Sequence, residues 1–283
     1  MKILVLGGTR FFGVPMVKRL AQCHEVTIAT RGITADSFGN SVSRIILERS
    51  DESSIREALK GAEFDVIIDK TAYSSNDVSR VLDNVICGKY ILMSSSAVYE
   101  SIRKNTPETD FDAALHPLKW CERADFSYDE VKRQAEACIA QHYLGQNYIA
   151  VRYPVVIGEH DYTKRLEFYV KHIIHGKPMN VNNMNSRISF IHEIEAGEFL
   201  ADLVESKITG AVNGCCRGDI SPAEIIAYIE RKTGKKAIIE QLGDDAPYNS
   251  YPEFATLDIT KAADHFTEVH DRFYETIDYI LNR

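Results

Sequence analysis

Three side chains in this sequence have the types and spacing that proton transfer requires. Tyr128 and Lys132 stand four positions apart in "SYDEVKRQAEACIAQHY", so a helix there sets them on one face. Ser127 and Glu130 form an S-x-x-E pattern, which predicts a capping box and puts Tyr128 in the first helical turn, where the helix field favours an anion. A tyrosine that exchanges a proton at neutral pH must fall about three units from its ordinary value near 10, roughly 4 kcal/mol at 1.36 kcal/mol per unit. A neighbouring ammonium, the helix N-terminus and a cationic ligand ring together supply an effect of that size. Ser95 lies in "LMSSSAVYE", at the end of an apolar run that reads as a strand. In an open parallel sheet that is where ligands bind, and its hydroxyl can hydrogen-bond a reacting oxygen. A Y-x-x-x-K spacing also arises by chance on helix surfaces. The strand-end serines and a glycine-rich turn, in the proper order, favour chemistry here.

That turn is "KILVLGGTRFFGVPMVKRL", Lys2 to Leu20. Gly7 and Gly13 fit the first and last glycines of a dinucleotide-binding turn, one permitting the tight turn and the other close packing of helix on strand. Arg10 occupies the middle glycine position. The second strand ends at Thr30-Arg31, where an acidic residue would hold the ribose 2′-hydroxyl of NAD. An arginine there forks onto a 2′-phosphate instead, so the pattern favours NADP, with NAD as the alternative. The plainer reading of both arginines is a solvated surface charge.

The elements that must position these residues alternate. Ile3 to Leu6 is an apolar run without period, as a strand buried on both faces reads. A helix follows from Phe12, then "EVTIAT", "SRIILE", the helix "DESSIREALKG", "FDVIIDKTA", the helix "NDVSRVLDNV" and "KYILMSSSA". Strands alternating with helices at this spacing predict an α/β fold, a doubly wound parallel sheet of the Rossmann kind. Residues 1–157 are expected to form this domain. Residues 158–283 are expected to form a smaller C-terminal α/β substrate lobe, with the 193–206 helix packing back on the first domain and a helix in "SPAEIIAYIERKTGK" stopped at Gly234.

The 283 residues carry a net charge of -8 and are 45% hydrophobic, enough for a sizeable core and without a basic footprint for nucleic acid or anionic lipid. Six cysteines without a C-x-x-C pair point to reduced thiols, and no segment approaches the ~18 apolar residues of a membrane span. A cytoplasmic protein is expected. His172 and His175 share a helix face but lack a third ligand, so no metal site is expected. His192 and Cys215-Cys216 read as buried structural residues.

These motifs together carry a resemblance. "GGTRFFG", "SSSAVYE", "YDEVK", "RYPVVIG" and "ISFIHEIEAG" are similar, in order and over nearly the whole chain, to motifs of the extended short-chain dehydrogenases/reductases, the NAD(P)-dependent epimerase/dehydratase family. The resemblance implies Ser95, Tyr128 and Lys132 as the catalytic set. It implies a cofactor held by Gly7, Thr9, Arg10, Phe11, Phe12 and Gly13 of the turn, with Arg31 beside them. Thr71, Ala72 and Ser94 at strand ends join Tyr128 and Lys132 in that role. Asp51 would approach the adenine, and Tyr153 and Val155 would border the nicotinamide. Expected chemistry is hydride transfer on a sugar-like, nucleotide-linked small molecule, without membrane or nucleic-acid partners; a homodimer stays open. Arg10 for glycine, Glu100 after Val98-Tyr99, Val155 for an asparagine and a displaced arginine, Arg187, depart from the family pattern. "GTRF" and "GEHDYTKRLEFYV" also resemble an atypical branch that includes chloroplast stem-loop RNA-binding proteins, though the acidic balance disfavours phosphate neutralisation. The rival expectation is a dinucleotide-sensing or RNA-binding protein without catalysis.

Overall fold

Continuous apolar runs become central strands. In the computed structural model, which describes Met1–Arg283, β1 (Lys2–Leu6) is buried from Ile3 onward, as a strand covered on both faces must be. Beside it lie β2 (Glu25–Thr30) and β3 (Ser43–Ile46) on one side. On the other come β4 (Ala62–Asp69), β5 (Val85–Met93), β6 (Tyr148–Arg152) and β11 (Gly210–Asn213). The seven strands form one parallel sheet in the order β11-β6-β5-β4-β1-β2-β3. The chain winds one way from β1 to β3 and the other way from β4, so its topological switch point lies between β1 and β4, where Leu6 pairs with Asp69. This is the doubly wound α/β fold.

Helices cover both faces. α2 (Glu52–Leu59), α3 (Ser75–Leu82) and α4 (Tyr128–His142) bury Ile55, Val78, Val81, Ala135 and Ile139 against Leu4, Leu6, Ile67 and Leu92. α1 (Gly13–Leu20) lies on the opposite face, where Val17 and Val5 both crowd Gly8. α6 (Glu193–Asp202) crosses α1 closely: a Cβ on Gly197 would stand 2.5 Å from the Phe12 carbonyl oxygen. Only glycine permits that approach.

The chain divides into two compact units. The first comprises Met1–Glu100, Glu108–Tyr153 and Ala196–Asn213, and the second Ser101–Pro107, Pro154–Glu195 and Gly214–Arg283. The division differs from a single cut after residue 157. β11, which the sequence pattern assigns to the smaller lobe, is the seventh strand of the first unit's sheet, because Gly210 to Asn213 pair with Ile149 to Arg152 of β6. Four residues are too few to show a period, so only pairing shows which sheet this strand joins.

The second unit is built from short parallel pairs: β7 (Val155–Ile157) with β10 (Phe190–His192), β8 (Pro178–Asn180) between β12 (Ile238–Ile239) and β13 (Asp244–Asp245), and β9 (Arg187–Ile188) with β14 (Phe254–Ala255). α5 (Arg165–His175), α7 (Pro222–Thr233) and α8 (Val269–Leu281) close over a core of Tyr169, Phe190, Ile225 and Phe273. α7 begins with a Ser221–Glu224 capping box and Pro222 in its first turn; its end at Gly234, in the left-handed region, is the stop its sequence predicts.

One polar cluster fixes α4 on the first unit's sheet. Arg152 of β6 and Glu136 of α4 are each about 1% exposed and form a two-pronged ion pair, with Nη2 donating to Oε2 at 2.7 Å and Nε to Oε1 at 3.1 Å. Ser94 donates to the same Oε1 at 2.5 Å, and Arg152 also donates to the carbonyls of Glu108 and Phe111. A buried pair so satisfied holds register, and removing one partner strands the other charge. Arg152→Met should therefore lower unfolding free energy by about 3–5 kcal/mol in urea denaturation, and adding Glu136→Leu should recover most of the loss. A single variant as stable as wild type would contradict this.

Candidate active site

Tyr128 opens α4 as its first helical residue, after Ser127 in extended conformation, and its ring is half exposed. The predicted capping box does not form. Ser127 gives no cap from its side chain, and Glu130 instead accepts from Gln134 at 2.8 Å and from Arg133, and pairs with His116 at 3.1 Å. Three partners from the helix and the 108–127 segment outcompete one backbone N–H. Asp129 and Glu130 still place two acids in the first turn, which suits the helix dipole.

Lys132, one turn on, is buried and donates to the carbonyl oxygens of Ala72 at 2.7 Å and Met93 at 2.8 Å. Those carbonyls lie just beyond β4 and at the end of β5. The ammonium also sits 4.5 Å from the Tyr73 ring, which meets Tyr128 edge-on with 6.1 Å between centroids. Burial lowers the Lys132 pKa to about 8, with Asp69 acting upward and Arg49 downward. Burial thus makes this ammonium easier to deprotonate than a free lysine, while its contacts fix the helix to two strand ends.

Ser95 caps a short 3₁₀ turn (Ser96–Val98), its oxygen accepting from the Ala97 amide at 3.2 Å, and it is half-buried. Ser94, one residue earlier, is turned into the protein and committed to Glu136. The two adjacent serines thus have different partners.

The glycine turn is built for close approach. Gly7 and Gly8 have φ of +96° and +99°, and a Cβ at Gly13 would stand 2.8 Å from the Gly8 backbone. Gly13 therefore rests on the turn itself, where the spacing predicts a contact with the strand. Phe11 takes the left-handed conformation at φ +53°. The amides of Gly8, Thr9, Arg10 and Phe12 donate no hydrogen bond within the protein, and the first turn of α1 carries no acid. Arg10 and Arg31 are exposed, and neither is held by a carboxylate.

Asp69, which no motif singles out, organises the turn after β4. It accepts from Arg49 Nη1 at 2.7 Å and Nη2 at 2.6 Å, from the Tyr90 hydroxyl at 2.6 Å, and from the amides of Thr71 and Ala72. Arg49 also donates to Thr71 Oγ1 at 3.0 Å. The cue in the sequence was a lone acid closing the apolar run "VII". Other expected positions serve structure. Asp51 caps α2 through the Ser53 amide, and the buried Tyr153 donates its hydroxyl to the Ala196 carbonyl while its ring packs on Phe12. Val155 lies in β7 of the second unit. Arg187 is spoken for as well, since Asp219 and Glu224 hold its guanidinium. Both ring nitrogens of His172 are engaged, by the Phe168 carbonyl and Asp244. The His192 ring accepts from the Ile194 amide at 3.3 Å.

No family model matches the chain. Among curated proteins it is similar to the chloroplast stem-loop binding protein of 41 kDa b from Arabidopsis thaliana, 24% identical over 209 residues, which cover 69% of this chain and 52% of that protein. The chain spans about half the length of this relative. Among solved structures it is similar to UDP-glucose 4-epimerase of Thermotoga maritima with UDP-glucose (TM-score 0.75, 14% identity, 100% of this chain and 99% of that one). It is equally similar to UDP-glucuronic acid 4-epimerase of Bacillus cereus with UDP-glucuronic acid and NAD (TM-score 0.75, 18% identity, 100% and 99%). These epimerases and this chain share one fold over their whole lengths. No helix is long and apolar enough to cross a membrane.

The buried lysine makes stability depend on pH. Its folded pKa of about 8 lies below the ordinary 10.5, so between these values the unfolded chain binds more protons and stability rises with pH. Relative to Lys132→Met, wild type should gain stability from about pH 8 to about pH 10 in urea midpoints. A difference that stays flat across this range would contradict the placement of the ammonium.

Proposed function

We propose that this chain is an NAD(P)-dependent enzyme of the epimerase, dehydratase or reductase type, acting by hydride transfer on a sugar-like, nucleotide-linked substrate. The observation that carries the reading is Tyr128 at the N-terminus of α4, half exposed, one turn from the buried ammonium of Lys132, which is itself tied to the ends of β4 and β5. Ser95 stands two residues past the carbonyl that Lys132 contacts. Tyr128 is the residue that moves a proton to or from the substrate oxygen, Lys132 holds the phenolate form by its charge, and Ser95 orients that oxygen.

The first unit fits a dinucleotide. Amides without partners at Gly8, Thr9, Arg10 and Phe12, the acid-free start of α1 and the glycine cradle suit a pyrophosphate. Arg10 and Arg31, unpaired, suit an adenosine 2′-phosphate and support NADP, while the solved relative from Bacillus cereus holds NAD. When bound, the nicotinamide supplies the carbon that accepts or returns the hydride. The nucleotide-linked part of the proposal leans on relatives solved with UDP-sugars, because Arg187, the nearest match to a diphosphate-binding arginine, is already neutralised by two carboxylates.

Stem-loop binding is the second reading, favoured by the name of the curated relative. Forty-one acidic against 33 basic residues weigh against it.

Two experiments test the leading reading. Tyr128→Phe should lower turnover of a nucleotide sugar by roughly 10²- to 10⁴-fold while leaving dinucleotide affinity near wild type, and full turnover would refute the assignment. Arg31→Ala should reduce the NADP/NAD affinity ratio by about tenfold or more. An unchanged ratio removes Arg31 from the cofactor site.

A further inference from the structure

The residue that follows β4 carries a charge the fold leaves uncompensated. Leu6 and Asp69 pair across the switch point, so the next residues are Gly7 and Lys70, side by side where the strand order reverses. A Cβ on Gly7 would stand 3.8 Å from the Lys70 Cβ, which sets the lysine stem along the glycine turn. Its ammonium lies 4.1 Å from the centroid of Phe12, the residue that caps α1.

Asp69, its neighbour in sequence, does not serve it. Side chains alternate along a strand, and the Asp69 oxygens are taken by Arg49, Tyr90 and two amides. Lys70 forms no ion pair or hydrogen bond through its ammonium. Burial alone lowers its pKa, to about 8, with no carboxylate acting on it. A half-buried ammonium facing only an aromatic ring is costly, and an anion arriving beside it reduces that cost. The amides of Gly8, Thr9, Arg10 and Phe12, in the same turn, likewise lack acceptors. Cation and amides converge on one ligand chemistry, a diphosphate.

We propose that Lys70 is a phosphate-binding residue, whose ammonium pairs with the diphosphate of the dinucleotide that the Gly7–Gly13 turn holds. This rests on the dinucleotide reading above and adds a side-chain charge to a site made otherwise of backbone amides.

Calorimetric titration of the full chain with NADP⁺, NAD⁺ and adenosine tests it. Lys70→Met should weaken both dinucleotides roughly 10- to 100-fold, leave adenosine unchanged and flatten the salt dependence of dinucleotide binding. Lys70→Arg should retain most of the affinity. The apo Met variant should melt no lower than wild type, because an unpaired, half-buried charge has gone. If wild type binds NADP⁺ or NAD⁺ and Lys70→Met binds it with the same Kd and the same salt slope, Lys70 has no phosphate role and the cofactor reading stands. If wild type binds neither dinucleotide, both fall together.

Discussion

The Glu136–Arg152 ion pair is the contact on which the candidate site depends. Both groups are buried, and two charges taken out of water return their desolvation cost only when every remaining donor and acceptor is satisfied. Here they are: Arg152 reaches Glu136, the Tyr99 hydroxyl and two carbonyls, while Glu136 also receives Ser94. A helix packed on a sheet by apolar contacts alone can slide or rotate by a fraction of a turn. The forked pair removes that freedom from α4 and so sets Lys132 against the ends of β4 and β5 and Tyr128 at the open end of the helix.

A second hub works on β4, two strands from β6. Asp69 gathers Arg49, Tyr90 and the amides of Thr71 and Ala72, and the Ala72 carbonyl so held receives Lys132. Burial first, then Asp69 and Arg49 in opposite directions, determine where the lysine titrates. The setting of Lys132, one turn from Tyr128, is thus governed by residues outside the motif. Positions of this kind are lost to a motif search, because their role is electrostatic and shared among elements far apart in sequence.

Charge in this protein is distributed by pairing rather than by count. The chain is acidic overall, yet Arg10 in the glycine turn, Lys70 beside it and Arg31 after β2 have no carboxylate partner, whereas Arg187 has two. An arginine already neutralised gains little from a further anion, and an unpaired one gains much. That contrast is the ground for proposing an anion site in the first unit rather than at Arg187. It also explains why a sequence match at Arg187 is a poor guide to ligand binding.

Much of this was legible from residues alone. The apolar runs, the alternation of strand and helix, the order of the glycine turn, the strand-end serines and Tyr128-Lys132 all follow from local composition and period, which the chain carries without reference to its fold. The stop of α7 at Gly234 is equally local. Tertiary structure decided what depends on partners distant in sequence. It moved β11 into the large sheet by pairing it with β6, and withheld the cap from Ser127 because Glu130 had better partners in His116, Arg133 and Gln134. Likewise it turned Ser94 and Tyr153 inward, locked Arg187, and left Lys70 half-buried without a counter-charge. Period and propensity are properties of a segment, whereas burial and charge compensation belong to the assembled molecule, and only folding brings the compensating groups together.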